Sequence, residues 1–236
     1  MLGGGLVTGT NTLLLGPSGV GKTTTAIRCM LTALQRGERA DYYLFDEGLI
    51  TLRTRAGALG MDLGPFLESG QLTLHQIDPA ELSPGEFASR VMNGVVQKGG
   101  RFVVIDSLNA YLLAVPGQGF LLLHMHELVS ALNQQGITTM LVVAQHGLVG
   151  EVKSDVDLSY LSDAILVYRF FEALGEVRTA ISAVKSRTGE NQRGIREFRL
   201  SSQLGVQIGE ALHGFRGVLS GVATYLGDTP LLDDDR

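Results

Sequence analysis

A short segment near the start of the chain constrains the fold more than any other feature. Residues 16–23 read G-P-S-G-V-G-K-T, which is the pattern G-x-x-x-x-G-K-T of a phosphate-binding loop. Residues 12–15 are apolar and predict a strand, and residues 24–36 have the composition of a helix. A strand, a loop and a helix in this order are the context that such a loop requires.

The chemistry of this loop suits the phosphates of ATP. Its glycines allow successive backbone N–H groups to face one anion, and the start of the following helix adds a positive end. Lys22 would reach the β- and γ-phosphates, and the hydroxyl of Thr23 would hold Mg²⁺. The alternative is a glycine-rich turn before a helix. The predicted nucleotide-binding residues are Gly16, Pro17, Ser18, Gly19, Val20, Gly21, Lys22, Thr23, Thr24 and Gln145.

Composition limits the class of protein. The chain has 236 residues, 44% of them hydrophobic, a net charge of −5 and one cysteine, Cys29. The length suits one α/β domain. The negative net charge argues against a general basic surface for nucleic acid or membrane, and a single cysteine excludes a disulfide framework. We expect a cytoplasmic enzyme with one domain over residues 1–226 and an acidic, disordered tail over residues 227–236. The chain opens abruptly with M-L-G-G-G and has no strand ahead of this segment. We therefore expect it to be a fragment of a longer protein.

The order of the predicted elements indicates a doubly wound sheet. Strands are predicted at 40–45, 71–76, 102–106 and 137–144, and helices at 49–58, 83–98 and 119–135. Their alternation predicts a mostly parallel central sheet flanked by helices. Residues 147–158 predict a loop, and strands at 164–171, 178–186, 195–200 and a short edge strand at 205–208 predict an antiparallel C-terminal extension.

Polar side chains follow several of the predicted parallel strands. Asp46 and Glu47 follow the second strand, Asp106 ends a buried strand, and Gln145 follows another. Because ligands bind beyond the carboxyl ends of such strands, we expect these residues to converge on the phosphate loop. Asp106 is then a candidate Mg²⁺ ligand. Glu47 is the first choice for the residue that activates water, and Asp46 lies beside it. Gln145 is a candidate sensor of the γ-phosphate. The alternatives are a helix cap or turn for Asp106 and solvated acids at a helix start for Asp46 and Glu47.

These motifs together resemble those of the RecA-like ATPases, and more narrowly the KaiC family. The similarity runs from about residue 3 to residue 224, closest to the second ATPase domain of the two-domain members. Phe45-Asp46-Glu47 stands where the family carries paired glutamates, so Asp46 is a mild departure. The resemblance implies a homohexameric ring with ATP bound between neighbouring subunits.

The resemblance also assigns residues beyond the phosphate loop. Lys185-Ser186-Arg187 matches the family's K-x-R element, which reaches the γ-phosphate of the neighbouring subunit, and the alternative is a solvated strand end. Ser159 matches the first of two adjacent phosphorylation sites in the second domain. Tyr160 replaces the threonine of the second site, which argues against a two-site cycle.

Three functions are compatible with these features. The first is a regulatory ATPase whose ring converts hydrolysis into a signal to a partner protein that the sequence does not identify. The second is a recombinase of the same superfamily that handles DNA, although the loop at 147–158 holds Lys153 against Glu151, Asp155 and Asp157. The third is a nucleotide-gated scaffold with very little turnover.

Overall fold

The computed structural model describes residues 1–114, 118–145, 147, 158–189 and 192–227. The predicted tail beyond residue 227, His146 and most of the predicted loop at 147–158 lie outside the described residues. The strands of the main sheet are β1 (Asn11–Gly16), β2 (Arg39–Leu44), β3 (Leu72–Gln76), β4 (Gly100–Asp106), β5 (Thr138–Ala144), β6 (Ala164–Ala173), β7 (Glu176–Ser186), β8 (Arg196–Ser201) and β9 (Gly205–Ala211).

Six helices accompany these strands in the described ranges. They are α1 (Lys22–Gln35), α2 (Leu49–Ala58), α3 (Gly64–Glu68), α4 (Pro84–Lys98), α5 (Leu108–Ala114) and α6 (Gln118–Gln134), and a single 3-10 turn covers Ser159–Leu161. Two further short strands, β10 (Phe215–Arg216) and β11 (Thr224–Tyr225), pair with each other.

The main sheet has the predicted mixture of parallel and antiparallel strands. Its order is β3-β2-β4-β5-β1-β6-β7-β8-β9 within the described residues. Every pair from β3 to β6 is parallel, and every pair from β6 to β9 is antiparallel. The predicted α/β class with a parallel sheet and an antiparallel C-terminal extension is confirmed. Because β1, β2, β4 and β5 are parallel, their carboxyl ends lie together at one end of the sheet, where the predicted site residues follow them.

The core consists of two apolar layers on opposite faces of the sheet. Successive side chains of a strand point to opposite faces, and accordingly Leu14 belongs to one cluster and Leu13 to the other. Helix α1 packs on the first layer through Ile27, whereas α4 and α6 pack on the second through Phe87 and Leu128. Each fully buried side chain of this size contributes about 1.5–3 kcal/mol. Both layers therefore stabilise the sheet whose strands lead into the phosphate loop and the acids.

Helix α4 is capped at both ends. Ser83 accepts a hydrogen bond from the backbone N–H of Glu86, the Glu86 side chain accepts one from the backbone N–H of Ser83, and Gly99 ends the helix in a left-handed conformation. Helices α3 and α5 and strands β10 and β11 have no counterpart among the predicted elements. The two helices have only five and seven residues and the two strands two residues each, which is too short for a helical period or for the alternation of a strand to appear.

Candidate nucleotide-binding site

The predicted phosphate loop connects the last residue of β1 to the first turn of α1. Gly21 has a φ of 96°, and a Cβ atom there would lie 2.6 Å from a ring carbon of Phe198. A Cβ atom on Gly16 would lie 2.7 Å from the carbonyl oxygen of Tyr168. The backbone of β6 and a side chain of β8 thus pack against the loop, and both glycines are required for the close approach.

Lys22 is the first residue of α1, at the end of this loop, and its side chain is buried. Its Nζ atom donates hydrogen bonds to the carbonyl oxygens of Gly16 at 2.7 Å and Pro17 at 2.5 Å. An ammonium group has three donors, so one remains for a phosphate oxygen. Burial lowers the pKa of Lys22 from 10.5 to about 8, and the negative charge of Asp106 opposes that shift.

The lowered pKa predicts that nucleotide affinity depends on pH. Lys22 is charged below a pH of about 8 and loses its proton as the pH rises through that value. Because the phosphates bind the charged form, we expect the affinity for ATP to fall above pH 8, by up to about tenfold per pH unit. Fluorescence titration of a labelled nucleotide between pH 7 and 9.5 measures this effect. Lys22→Arg is the matched control, since its cation does not titrate there, and an equal slope in both proteins would contradict the assignment.

Asp106 ends β4 beside the phosphate loop. Its Oδ2 atom accepts a hydrogen bond of 2.6 Å from the hydroxyl of Tyr42, and the Thr23 hydroxyl also donates to its carboxylate. Burial raises the pKa of Asp106, and these two hydrogen bonds oppose the shift. A carboxylate next to a hydroxyl is a donor set that suits Mg²⁺, which prefers oxygen ligands. Thr23 and Asp106 could therefore hold that ion.

Asp46 and Glu47 have separate partners. The Ser107 hydroxyl donates to Oδ2 of Asp46, whereas Oε2 of Glu47 forms an ion pair of 2.6 Å with Nη2 of Arg55. Burial raises the pKa of Glu47, while the neighbouring charges of Arg55 and Asp106 lower and raise it respectively. A raised pKa brings a carboxylate closer to the range in which it can accept a proton from water.

One cavity of about 420 Å³ brings most of the predicted residues together. It opens at the carboxyl edge of the parallel strands and has positive side chains as well as carboxylates on its walls. Its polar lining includes Ser18, Lys22, Thr23, Thr24, Asp46, Glu47, Arg55, Asp106 and Ser107.

Gln145 lies at the same edge, but its amide binds another side chain. The residue is buried, and its Oε1 atom accepts a hydrogen bond of 2.5 Å from Nη1 of Arg169. Nε of Arg169 donates in turn to the carbonyl of Leu219, at 3.2 Å. The proposed sensor is thus connected to the C-terminal segment, and the cavity wall next to it is formed by Ala144.

The predicted trans-acting residues lie at the amino ends of the parallel strands, whereas the phosphate loop lies at their carboxyl ends. Ser186 pairs with Ala164, which in turn pairs with Thr12, whereas the phosphate loop begins at Gly16. Four residues of strand span about 13 Å. Lys185 and Arg187 flank Ser186, so the structure places all of Lys185-Ser186-Arg187 away from the phosphate loop of the same chain.

Ser159 is close to this second group. Its carbonyl oxygen accepts a hydrogen bond of 2.7 Å from Nζ of Lys185. Nη1 of Arg187 lies 3.7 Å from Oδ1 of Asp163, and the Arg187 side chain is 56% exposed. Ser159 therefore shares the far edge of the sheet with the two cations.

Sequence reasoning missed four of the described side chains, which form hydrogen bonds with the predicted acids Asp46, Glu47 and Asp106 or with Gln145. Ser107 immediately follows Asp106 and could have been found from that position. The other three depend on contacts between separate elements, for which the sequence carries no local pattern. The missed residues are Tyr42, Arg55, Ser107 and Arg169.

This fold and this phosphate loop define a P-loop nucleotide-binding domain of the RecA-like class. The family model for the KaiC ATPase matches residues 1–213. The chain therefore belongs to the KaiC family, as an ATP-binding, KaiC-like ATPase domain.

Curated relatives give the same result. The chain is 27% identical, over 100% of its length, to a circadian clock oscillator protein KaiC of Acaryochloris marina, of which the match covers 44%. It is 28% identical, over 95% of its length, to the circadian clock protein KaiC3 of a Synechocystis strain, of which the match again covers 44%. The chain thus spans less than half the length of these relatives.

None of the described helices is long and apolar enough to cross a membrane.

Proposed function

We propose that this domain hydrolyses ATP within a homohexameric ring of its own copies, and that hydrolysis regulates a partner protein. The observation that carries the proposal is the distribution of charged groups over two edges of one sheet. The phosphate loop and three carboxylates line one cavity. Lys185 and Arg187 lie near the amino ends of the parallel strands, away from the phosphate loop of their own chain, which favours a role at the loop of a neighbouring copy.

Each group of the cavity has a role in this reaction. Lys22 binds the β- and γ-phosphates and balances their charge. Glu47 orients the attacking water and accepts its proton, and Asp46 supplies a second negative charge that Ser107 holds in place. Mg²⁺, held by Thr23 and Asp106, would neutralise charge on the phosphates.

The neighbouring subunit completes the site. Lys185 and Arg187 place positive charge near the γ-phosphate, where negative charge develops during phosphoryl transfer. Ser159 lies beside Lys185 and would face the same phosphate. Ser159 is therefore also a candidate acceptor of that phosphoryl group, and the circadian clock proteins among the relatives suggest a regulatory use of it.

Mass measurement in solution together with phosphate release tests the proposal. We expect ATP and Mg²⁺ to convert the chain from monomers into hexamers that release phosphate slowly. Monomers that release no phosphate would contradict it. Tight nucleotide binding and hexamers without phosphate release would favour the scaffold instead, and a salt-sensitive shift of labelled single-stranded DNA would favour the recombinase.

A further inference from the structure

Arg55 is a second cation in the nucleotide cavity, and it does not belong to the phosphate loop. It lies in the last turn of α2, and the cavity wall includes it together with Lys22 and Asp106. Its Nη2 atom is 2.6 Å from Oε2 of Glu47. The contact connects the loop after β2 to the end of the helix that follows it, so α2 fixes where the Glu47 carboxylate lies.

The surroundings of Glu47 explain why such a cation matters. Asp46 precedes it, and the negative charge of Asp106 lies close enough to raise the pKa of Glu47. Without a positive neighbour, a carboxylate in this position would turn towards solvent or take up a proton. The charge of Arg55 opposes both changes because it lowers the pKa of Glu47 and gives its carboxylate a defined hydrogen-bond donor.

The ion pair is a poor source of folding stability. The Arg55 and Glu47 side chains are 40% and 23% exposed, and pairs of this kind contribute about 0–1 kcal/mol. Nε of Arg55 is buried without a hydrogen-bond partner among the described residues, which further reduces the net gain. Removing the guanidinium should therefore leave the fold intact.

We propose that Arg55 is a positioning residue for ATP hydrolysis, which acts by holding the Glu47 carboxylate in the orientation that binds the attacking water. The inference rests on the proposed function, because it assigns Glu47 the role of activating water. It predicts an effect on turnover rather than on nucleotide binding, since Arg55 acts through a side chain whose role begins after ATP is bound.

Arg55→Ala tests this role, with Arg53→Ala as the matched control. Arg53 lies on the same helix, is exposed and is absent from the wall of the nucleotide cavity. We expect Arg55→Ala to lower kcat by about 10- to 100-fold, as is typical for residues that orient a reacting group, while the Kd for ATP changes less than about twofold. Arg55→Lys should recover part of the loss, and Arg53→Ala should behave as the unmodified protein does.

A double variant separates positioning from an independent effect. In a Glu47→Gln background, Arg55→Ala should cause no further loss of phosphate release, because residues that act as a unit are not additive. An equal loss in both backgrounds, or a kcat of Arg55→Ala equal to that of Arg53→Ala, would overturn the role of Arg55. Absence of phosphate release from the unmodified protein would instead overturn the proposed function, so the two failures are distinguishable.

Discussion

Replacing Glu47 by glutamine is expected to lower phosphate release by about 100- to 10,000-fold, the usual contribution of a general base. The amide keeps the size of the carboxylate but cannot accept a proton from water. Glu47 lies in the cavity but outside the phosphate loop, so the Kd for ATP should remain nearly unchanged. Single-turnover phosphate release and nucleotide titration on the same preparation measure the two effects separately.

Asp46→Asn is the comparison variant for this experiment. Both acids are in the same turn, but the Asp46 carboxylate accepts a hydrogen bond from Ser107, whereas Glu47 is held by a side chain of α2. We therefore expect Asp46→Asn to lose less activity than Glu47→Gln. The reverse order would transfer the role of base to Asp46. Equal, small losses would argue that neither carboxylate activates water.

The sequence predicted the fold and the composition of the cavity for a topological reason. Residues at the carboxyl ends of neighbouring parallel strands must meet, so Gly16, Asp46 and Asp106 could be assigned to one edge without any coordinates. The parallel part of the sheet followed from the alternation of predicted strands and helices, and the antiparallel extension from the closely spaced strands predicted after residue 164, whereas the order of the strands was not predicted. To assign these residues to one site, it is enough to know at which residue each parallel strand ends.

Side-chain partners could not be predicted in the same way. Arg55 lies in the last turn of α2, and nothing in the residue pattern indicates that its guanidinium contacts the carboxylate of Glu47. Gln145 binds Arg169, which lies on a strand two positions away across the sheet, instead of pointing freely at a phosphate. The first contact joins residues only eight apart but depends on where the end of α2 lies, and the second depends on packing across the sheet.

Arg187→Ala is expected to lower hydrolysis by about 1,000-fold or more, as removal of a trans-acting arginine does in related reactions. The side chain is 56% exposed, so thermal unfolding of the variant should match that of the unmodified protein. Lys185→Ala should have a similar but smaller effect, because an ammonium makes fewer directed hydrogen bonds than a guanidinium. Phosphate release under conditions that favour the hexamer measures both losses.

Mixing two inactive variants shows whether the arginine acts between subunits. In a ring of Arg187→Ala and Glu47→Gln subunits, roughly a quarter of the interfaces would join an intact Glu47 to an intact Arg187 by random assortment. Activity should return in proportion. Mixing Arg187→Ala with a subunit that carries both substitutions is the control, because no interface then has both groups.

The strand register explains why the mixing experiment can distinguish action within a subunit from action between subunits. The residue pairing that places Ser186 opposite Ala164, and Ala164 beside Thr12, fixes Arg187 near the beginning of β1, whereas the phosphate loop follows the end of that strand. An extended strand cannot shorten this separation without breaking its hydrogen bonds. If Arg187 acts on a phosphate, that phosphate must therefore belong to another subunit. Activity lost in Arg187→Ala but not recovered in the mixture would mean that the arginine supports assembly rather than the reaction.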